Sequence, residues 1–254
     1  MLKLSGVIIT FNEERNIEQC LQSLVNIVDE IIVVDSFSTD KTKSICQRFN
    51  VNFIEQEFLG YIEQKNFAIT QASYDHVVSL DGDESLSNKL QKSIIELKTK
   101  WELDGYYANR FNNFCGQWIK HSDWYPNKKL RVFDRRKAEW QGLNPHDNVQ
   151  LHDANAKTGY LKGDILHKTY QTYSEFNQKT EYFSTIAAKA YFDIGKTAPL
   201  WKIIWNPSWA FFKSYVLRLG FLDGYNGYVI CKETAKITYL KYSKLRELQK
   251  KSKT

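Results

Sequence analysis

Cysteine is scarce and scattered: Cys20, Cys46, Cys115 and Cys231 form no CxxC pair in a chain of 254 residues. Neither a zinc ribbon nor a dense disulfide framework is expected, and a reducing compartment fits best. Uninterrupted apolar runs of about 18 residues, the length a membrane-crossing helix needs, are missing. The apolar stretch Leu4 to Thr10 gives way at once to Asn12-Glu13-Glu14-Arg15, too short for a signal peptide. The glycine fingerprints of common nucleotide binders are also absent. No GxGxxG follows the first apolar run, and GxxxxGK followed by Ser or Thr occurs nowhere, which argues against a dinucleotide dehydrogenase and a P-loop enzyme. Charge of one sign is in modest excess only, at +6, much of it between Lys128 and Lys137 and near the C-terminus. Such patches suit phosphate or anionic lipid and do not by themselves indicate nucleic acid.

What is present is an ordinary globular balance, 43% hydrophobic and 25% charged, enough to bury a sizeable core. Strands are expected at Leu4 to Thr10, Glu30 to Asp35, Val51 to Ile54 and His76 to Asp81, each a short continuous apolar run of the kind buried on both faces of a parallel sheet. Helical periodicity lies between them. Asn12 is placed to cap a helix with the stripe Ile17, Leu21, Leu24 and Val28, and Asp40 a second. Tyr61 to Gln71 reads as a third, and Ser85 or Ser87 starts a fourth with Leu90, Ile94 and Leu97 inward. Alternation of this type predicts an α/β fold with an open, mostly parallel sheet. The parallel half is expected over 1–100, and the rest of the same domain, 101–172, holds short β-like pieces and aromatic-rich loops of the kind that carry acceptor recognition. A helical region follows over 173–254.

In open α/β sheets ligands bind beyond the carboxyl ends of the strands. Thr10 with Phe11, Asn12 and Glu13, Asp35 with Ser36, and Asp81 with Asp83 all fall there, so they are read as one site. Asp81-Gly82-Asp83-Glu84 puts three carboxylates within four residues, a pattern suited to a hard divalent cation against phosphate oxygens. Asp-Gly-Asp is equally good turn chemistry before a helix, and Glu84 has no assigned role at this stage.

These segments resemble a known family in combination. Val7-Ile8-Ile9-Thr10-Phe11-Asn12-Glu13-Glu14, Val33-Val34-Asp35-Ser36-Phe37-Ser38-Thr39-Asp40, Gln64-Lys65-Asn66 and Ser79 to Glu84 resemble the N-terminal half of family 2 glycosyltransferases of the GT-A fold. Trp124-Tyr125-Pro126 with Arg131-Val132-Phe133, Pro145-His146-Asp147, Leu166 to Tyr170 and Gly220 to Gly224 resemble the bacterial branch that extends lipopolysaccharide core. The resemblance implies inverting transfer of a sugar, from a nucleotide diphosphate donor such as a UDP-hexose, to a hydroxyl on a lipid-linked or lipopolysaccharide-core acceptor. It implies Mg²⁺ or Mn²⁺ on Asp81 and Asp83, and Asp147 as general base in a slot usually held by Glu. Lys65 is placed to balance diphosphate charge, Lys129 and Arg131 to touch phosphate, and Asp35 and the backbone of Thr10 to Asn12 to hold the base. Trp124 and Tyr125 suit sugar stacking or plain packing. His146 and His167 lack a third ligand at zinc spacing, which favours hydrogen-bonding roles.

The segment from Pro199 to Arg218 mixes Trp and Phe with spaced cations, which suits a helix lying in a membrane interface. The same composition fits a helix packed on the core or forming an oligomer contact; with the lipid-linked acceptor that the resemblance implies, a cytoplasmic protein attached peripherally to the inner membrane is expected. Two other functions compete: a nucleotidyltransferase, which normally needs a glycine-rich basic loop where this chain has Asn12-Glu13-Glu14, and a catalytically silent glycan- or nucleotide-sugar-binding module.

Overall fold

The computed structural model describes residues 1–143 and 146–252, the side chains of Leu143 and His146 apart. Strands and helices alternate at first: β1 (Leu4–Thr10), α1 (Ile17–Leu24), β2 (Glu30–Asp35), α2 (Thr42–Cys46), β3 (Asn52–Glu55), α3 (Tyr61–Thr70) and β4 (His76–Asp81). Then come β5 (Glu84–Leu86), α4 (Asn88–Leu97), β6 (Gly105–Phe114), β7 (Gln117–Trp118), β8 (Lys128–Asp134), β9 (Ala138–Leu143), β10 (His146–Leu151) and β11 (Thr158–Tyr170). Three helices close the chain: α5 (Tyr173–Asp193), α6 (Leu200–Phe212) and α7 (Gly224–Lys251).

The main sheet runs β3-β2-β1-β4-β8-β6-β11-β5, with β7 paired to β6, while β9 and β10 form a separate two-stranded sheet. Its first four strands are parallel. β8 then joins β4 and β6 in antiparallel fashion, as β11 joins β5. Apolar side chains fill both faces of the parallel half. Ile8, Val33 and Leu80 pack with Leu21 and Leu24 of α1 and Ile94 of α4 on one face. Val7, Ile32, Val34 and Val77 pack with Ala68 and Ile69 of α3 on the other. That two-sided burial is why these strands read as continuous apolar runs.

Local chemistry moves one helix start and decides another. α1 begins at Ile17, and Asn12 does not cap it: Asn12 has φ 53° and its side-chain oxygen accepts the Thr39 N–H at 2.8 Å. Ser87, not Ser85, caps α4 by accepting from the Leu90 N–H, because Ser85 lies in β5. Gly163 of β11, at φ 107°, crosses the first turn of α4 so closely that a Cβ would lie 2.3 Å from the Leu90 nitrogen. Only glycine tolerates both the conformation and the approach.

The chain forms two compact units. The first, residues 1–111, 127–142 and 146–168, holds the parallel sheet. The second, 112–126, 143 and 169–252, is built on α5 to α7 around Phe114, Ile119, Phe176 and Ile230. Within it Asp223 accepts from the N–H groups of Lys120 and His121, and its carboxylate lies 3.0 Å from His121 Nδ1, which ties the chain before α7 to the segment after β7. α6 runs through Pro207 into a π-helical turn, Lys213–Leu217. It is apolar nearly all round, yet Ile203 is its only buried residue, while Ile204 and Trp205 are 71% and 66% exposed. No described helix is long and apolar enough to cross a membrane.

Candidate functional site

Strand pairing brings three predicted strand ends together. Thr10 is in register with Asp35 and Ile9 with Asp81, so the carboxyl ends of β2, β1 and β4 are adjacent. The loops beyond them are laced by side chains. The Asn12 N–H donates to Ser38 Oγ at 2.7 Å, the Glu13 N–H to Thr42 Oγ1 at 2.8 Å and the Glu14 N–H to Asp40 at 3.0 Å. Asp40 also accepts the Thr42 N–H, at the start of α2. Asp35 is fully buried and accepts from the N–H and hydroxyl of Ser38 at 2.7 and 2.5 Å, which fixes the loop after β2. Ser36 Oγ accepts from Gln64 Nε2. Phe11 and Phe37 stand exposed on these two loops. Glu13 Oε2 accepts from Asn16 Nδ2 at 2.8 Å.

The turn after β4 presses against the same edge. The Gly82 N–H donates to the Ile9 carbonyl, and a Cβ on Gly82 would come within 2.8 Å of Thr10 Oγ1 and 3.2 Å of Glu13 Cγ. A glycine here lets the carboxylate turn pack on the loop after β1. Thr10 Oγ1 is itself buried with no hydrogen-bond partner among the described residues.

Around this turn lies a cluster of buried and half-buried charges. The Lys65 ammonium, buried on α3, sits 3.1 Å from Asp81 Oδ1 and 2.7 Å from Asp147 Oδ2. It also lies over the Trp140 ring at 4.3 Å, where the Arg131 guanidinium stacks at 4.8 Å. Trp140 is pinned by Asn66, which exchanges two hydrogen bonds of 2.9 Å with its backbone. Arg131 Nη2 reaches Glu84 Oε1 at 3.0 Å and Asp81 Oδ2 at 3.5 Å, and Arg110 Nη1 reaches Glu84 Oε1 at 3.6 Å. Lys129 bonds Asn148 at 3.2 Å beside them. Burial would raise the Asp81 carboxyl, but Lys65 and Arg131 overcome that and hold it well below the usual carboxylate range. Burial opposes ionisation of Asp83 too, and His167 beside it brings the carboxyl below its ordinary value. Desolvation, with Arg110 and Arg131 nearby, pushes Lys129 down to about 8.

The residues present fit a divalent cation held jointly with substrate. Asp83 Oδ2 and His167 Nε2 meet at 3.1 Å, an oxygen and a nitrogen side by side. Asp81 Oδ1 is buried, and although Lys65 is near, it receives no aligned hydrogen bond. Among the described residues no group of three or more His, Cys, Asp or Glu forms an all-protein cage, and Mg²⁺ characteristically uses one or two carboxylates and takes its other ligands from phosphates and water.

Lys65, Asp81, Asp83, Lys129, Arg131 and Asp147 thus come together, while Thr10, Asp35 and the loop residues Phe11, Asn12, Glu13 and Ser36 line the adjoining strand ends. Pro145 and the His146 side chain lie outside the described residues. Trp124 belongs to the second unit, with its ring against Phe114 and Phe176, and Tyr125 follows it half-buried there. Sequence reasoning passed over Arg110 and Trp140, and it gave neither Asn66 nor Glu84 a role. An arginine inside a strand run and the Asn next to Lys65 were the available signals.

The sequence pattern of Glycosyl transferase family 2 matches residues 5–153. An uncharacterized glycosyltransferase of Rickettsia felis is 31% identical over 265 residues, covering 100% of this chain and 93% of that protein. The lipopolysaccharide core biosynthesis glycosyltransferase LpsC of Rhizobium meliloti is 30% identical over 236 residues, covering 88% and 82%. Among solved structures, the mannosyltransferase PcManGT of Pyrobaculum calidifontis, in complex with GDP-Man and Mn²⁺, superposes with a TM-score of 0.54 over 96% of this chain and 86% of that one, at 16% identity. That likeness supports the fold alone.

Proposed function

The chain belongs to glycosyl transferase family 2, and from that membership we propose that it moves a hexose, with inversion, from a nucleotide diphosphate sugar to a hydroxyl of a lipid-linked glycan or lipopolysaccharide core. The observation that carries this reading is the charge cluster at the carboxyl end of the parallel strands. Four carboxylates, Asp81, Asp83, Glu84 and Asp147, face four cations, Lys65, Arg110, Lys129 and Arg131. A site already balanced accepts a diphosphate dianion most readily when that dianion brings a divalent countercharge. The relative LpsC favours a core acceptor, and UDP is the first nucleotide to try.

In this scheme the backbone of Thr10 to Asn12 lines the base, and Asp35, buried and bonded to Ser38, holds the loop after β2 beside it. Lys129 and Arg131 meet the diphosphate, and Lys65 orders Asp81 and Asp147. Asp83 and Asp81, with His167 against Asp83, would hold Mg²⁺ or Mn²⁺, which supplies Lewis-acid stabilisation of the departing diphosphate. Asp147 takes the proton of the acceptor hydroxyl as that oxygen attacks the anomeric carbon from the face opposite the leaving group. The test is a panel of UDP- and GDP-sugars, with and without Mn²⁺, read by nucleoside diphosphate release. Metal-stimulated release with one donor is the expected result; no binding or turnover of any donor under either condition would reject the transferase reading.

A lipid-linked acceptor has to be met at a membrane surface, and we place α6 there, on the cytoplasmic leaflet. Trp201, Trp205 and Trp209 follow one another at helical spacing, all are exposed, and Lys202, Lys213 and Arg218 flank them. Such rings sit at headgroup level while the cations reach anionic lipid. Flotation with anionic liposomes is expected for the wild type and is expected to drop sharply when the three Trp are replaced by Ala. Equal flotation of both would remove α6 from the membrane.

A further inference from the structure

Glu84 is the one carboxylate of the cluster with no part in the scheme above, and it is also the most deeply buried. Fully inaccessible at the start of β5, it uses both oxygens: Oε2 accepts the Asp81 N–H at 3.0 Å, and Oε1 faces Arg131 Nη2 at 3.0 Å and Arg110 Nη1 at 3.6 Å. Burial would weaken the charge on Arg131, yet Glu84, ahead of Asp81, raises its pKa above the ordinary value. Each guanidinium is gripped at one end only. Arg131, 2% exposed, keeps Nε and Nη1 buried with no hydrogen-bond partner among the described residues, and Arg110 keeps Nε so. The Arg131 Cζ lies 4.8 Å over the Trp140 ring, which limits how that guanidinium can rotate to find another acceptor.

Buried guanidinium donors without acceptors are costly to leave unmade, and a guanidinium fork matches phosphate oxygens. We infer that Glu84 is a positioning residue: it anchors Arg131 and Arg110 by one end so that their unpaired N–H groups receive the terminal phosphate of the donor as it departs. The inference rests on the transferase reading. In the transfer, the bond between the anomeric carbon and the diphosphate oxygen breaks and its electron pair stays on that oxygen. The acceptor oxygen bonds the carbon, and the acceptor proton goes to the base. Negative charge therefore grows on the terminal phosphate, where groups held in advance are most effective. Arg110 becomes a second phosphate contact beside Arg131, set by the same carboxylate.

The experiment compares Glu84→Gln with the wild type for binding of UDP, GDP, UMP and GMP in the presence of Mn²⁺, together with donor KM and kcat. Expected is a selective loss: diphosphate affinity falls by about 10- to 100-fold, monophosphate affinity is unchanged, and kcat falls more than KM rises. Equal losses for mono- and diphosphates, or no loss at all, would overturn the role given to Glu84. Wild-type protein that binds no nucleoside diphosphate would instead reject the transferase reading. If Glu84→Gln fails to fold by circular dichroism, Arg110→Lys carries the test. It keeps the charge and removes the fork, and it is expected to show the same selective loss; full retention of diphosphate affinity would overturn the proposal.

Discussion

Replacing Asp147 by Asn is expected to lower kcat by roughly 10²- to 10⁴-fold, the range of a lost general base, while donor binding stays close to wild type. Asn keeps the shape and an oxygen to accept from Lys65, so the 2.7 Å contact survives as a hydrogen bond from the ammonium to an amide oxygen and the surroundings of Trp140 are preserved. What disappears is the ability to take a proton. The measurement is kcat with a true acceptor, with nucleoside diphosphate binding and a thermal melt as controls. Full activity would show that the base lies elsewhere and leave the donor site untouched. Asp147 also differs in length from the Glu usual in this slot of the resembled family, and the contact with Lys65 shows how the shorter side chain is held: an ammonium fixed between Asp81 and Asp147 defines the position of both carboxylates.

Asp83→Ala is expected to be as damaging by another route. Metal stabilisation of a leaving diphosphate is worth several kcal/mol, hence roughly 10³-fold or more in turnover. Because Asp83 bonds His167 while Lys65 and Arg131 pair with Asp81, Asp147 and Glu84, its removal leaves Asp81 paired and Glu84 in place. The loss should thus appear as the disappearance of the response to Mn²⁺, in both binding of nucleoside diphosphate and release of product, with the melting temperature nearly unchanged. A variant still stimulated by Mn²⁺ to the wild-type extent would take the cation away from Asp83.

The parallel half of the fold was legible in the sequence because burial on both faces leaves an unbroken apolar run whose ends are marked by polar residues. β1, β2 and β4 begin and end at the expected residues, and β3 is displaced by one. Strand-end residues inherit that legibility, which is why Thr10, Asp35 and Asp81 fall together. β5 was read as the start of a helix because three residues carry no period, and Ser85 and Ser87 look alike as caps. β11 was missed altogether: Gly159, Lys162, Gly163, Asp164, His167 and Lys168 break any simple alternation, although the strand is 13 residues long. Arg110, Trp140 and Asn148 reach the site from β6, β9 and β10, outside the parallel alternation. Antiparallel register depends on pairing partners that one sequence does not display, so no spacing rule could bring Arg110 to Glu84 or Trp140 to Lys65. The Asn12 cap failed for a related reason. Its competitor, the Thr39 N–H, comes from a neighbouring loop.

The cluster beneath the strand ends also bears on how robust the folded chain can be. Opposite charges withdrawn from water recover little more than the hydration they lose, and well-packed apolar side chains of similar volume often serve a fold better. Glu84, Arg131, Lys65 and Asp81 thus occupy, at the end of the sheet, a place where leucine or methionine would make a tougher and inert protein. Stabilising selection acting on this chain alone would tend to erode that corner first, so its ionic residues mark where activity and durability pull the sequence in opposite directions.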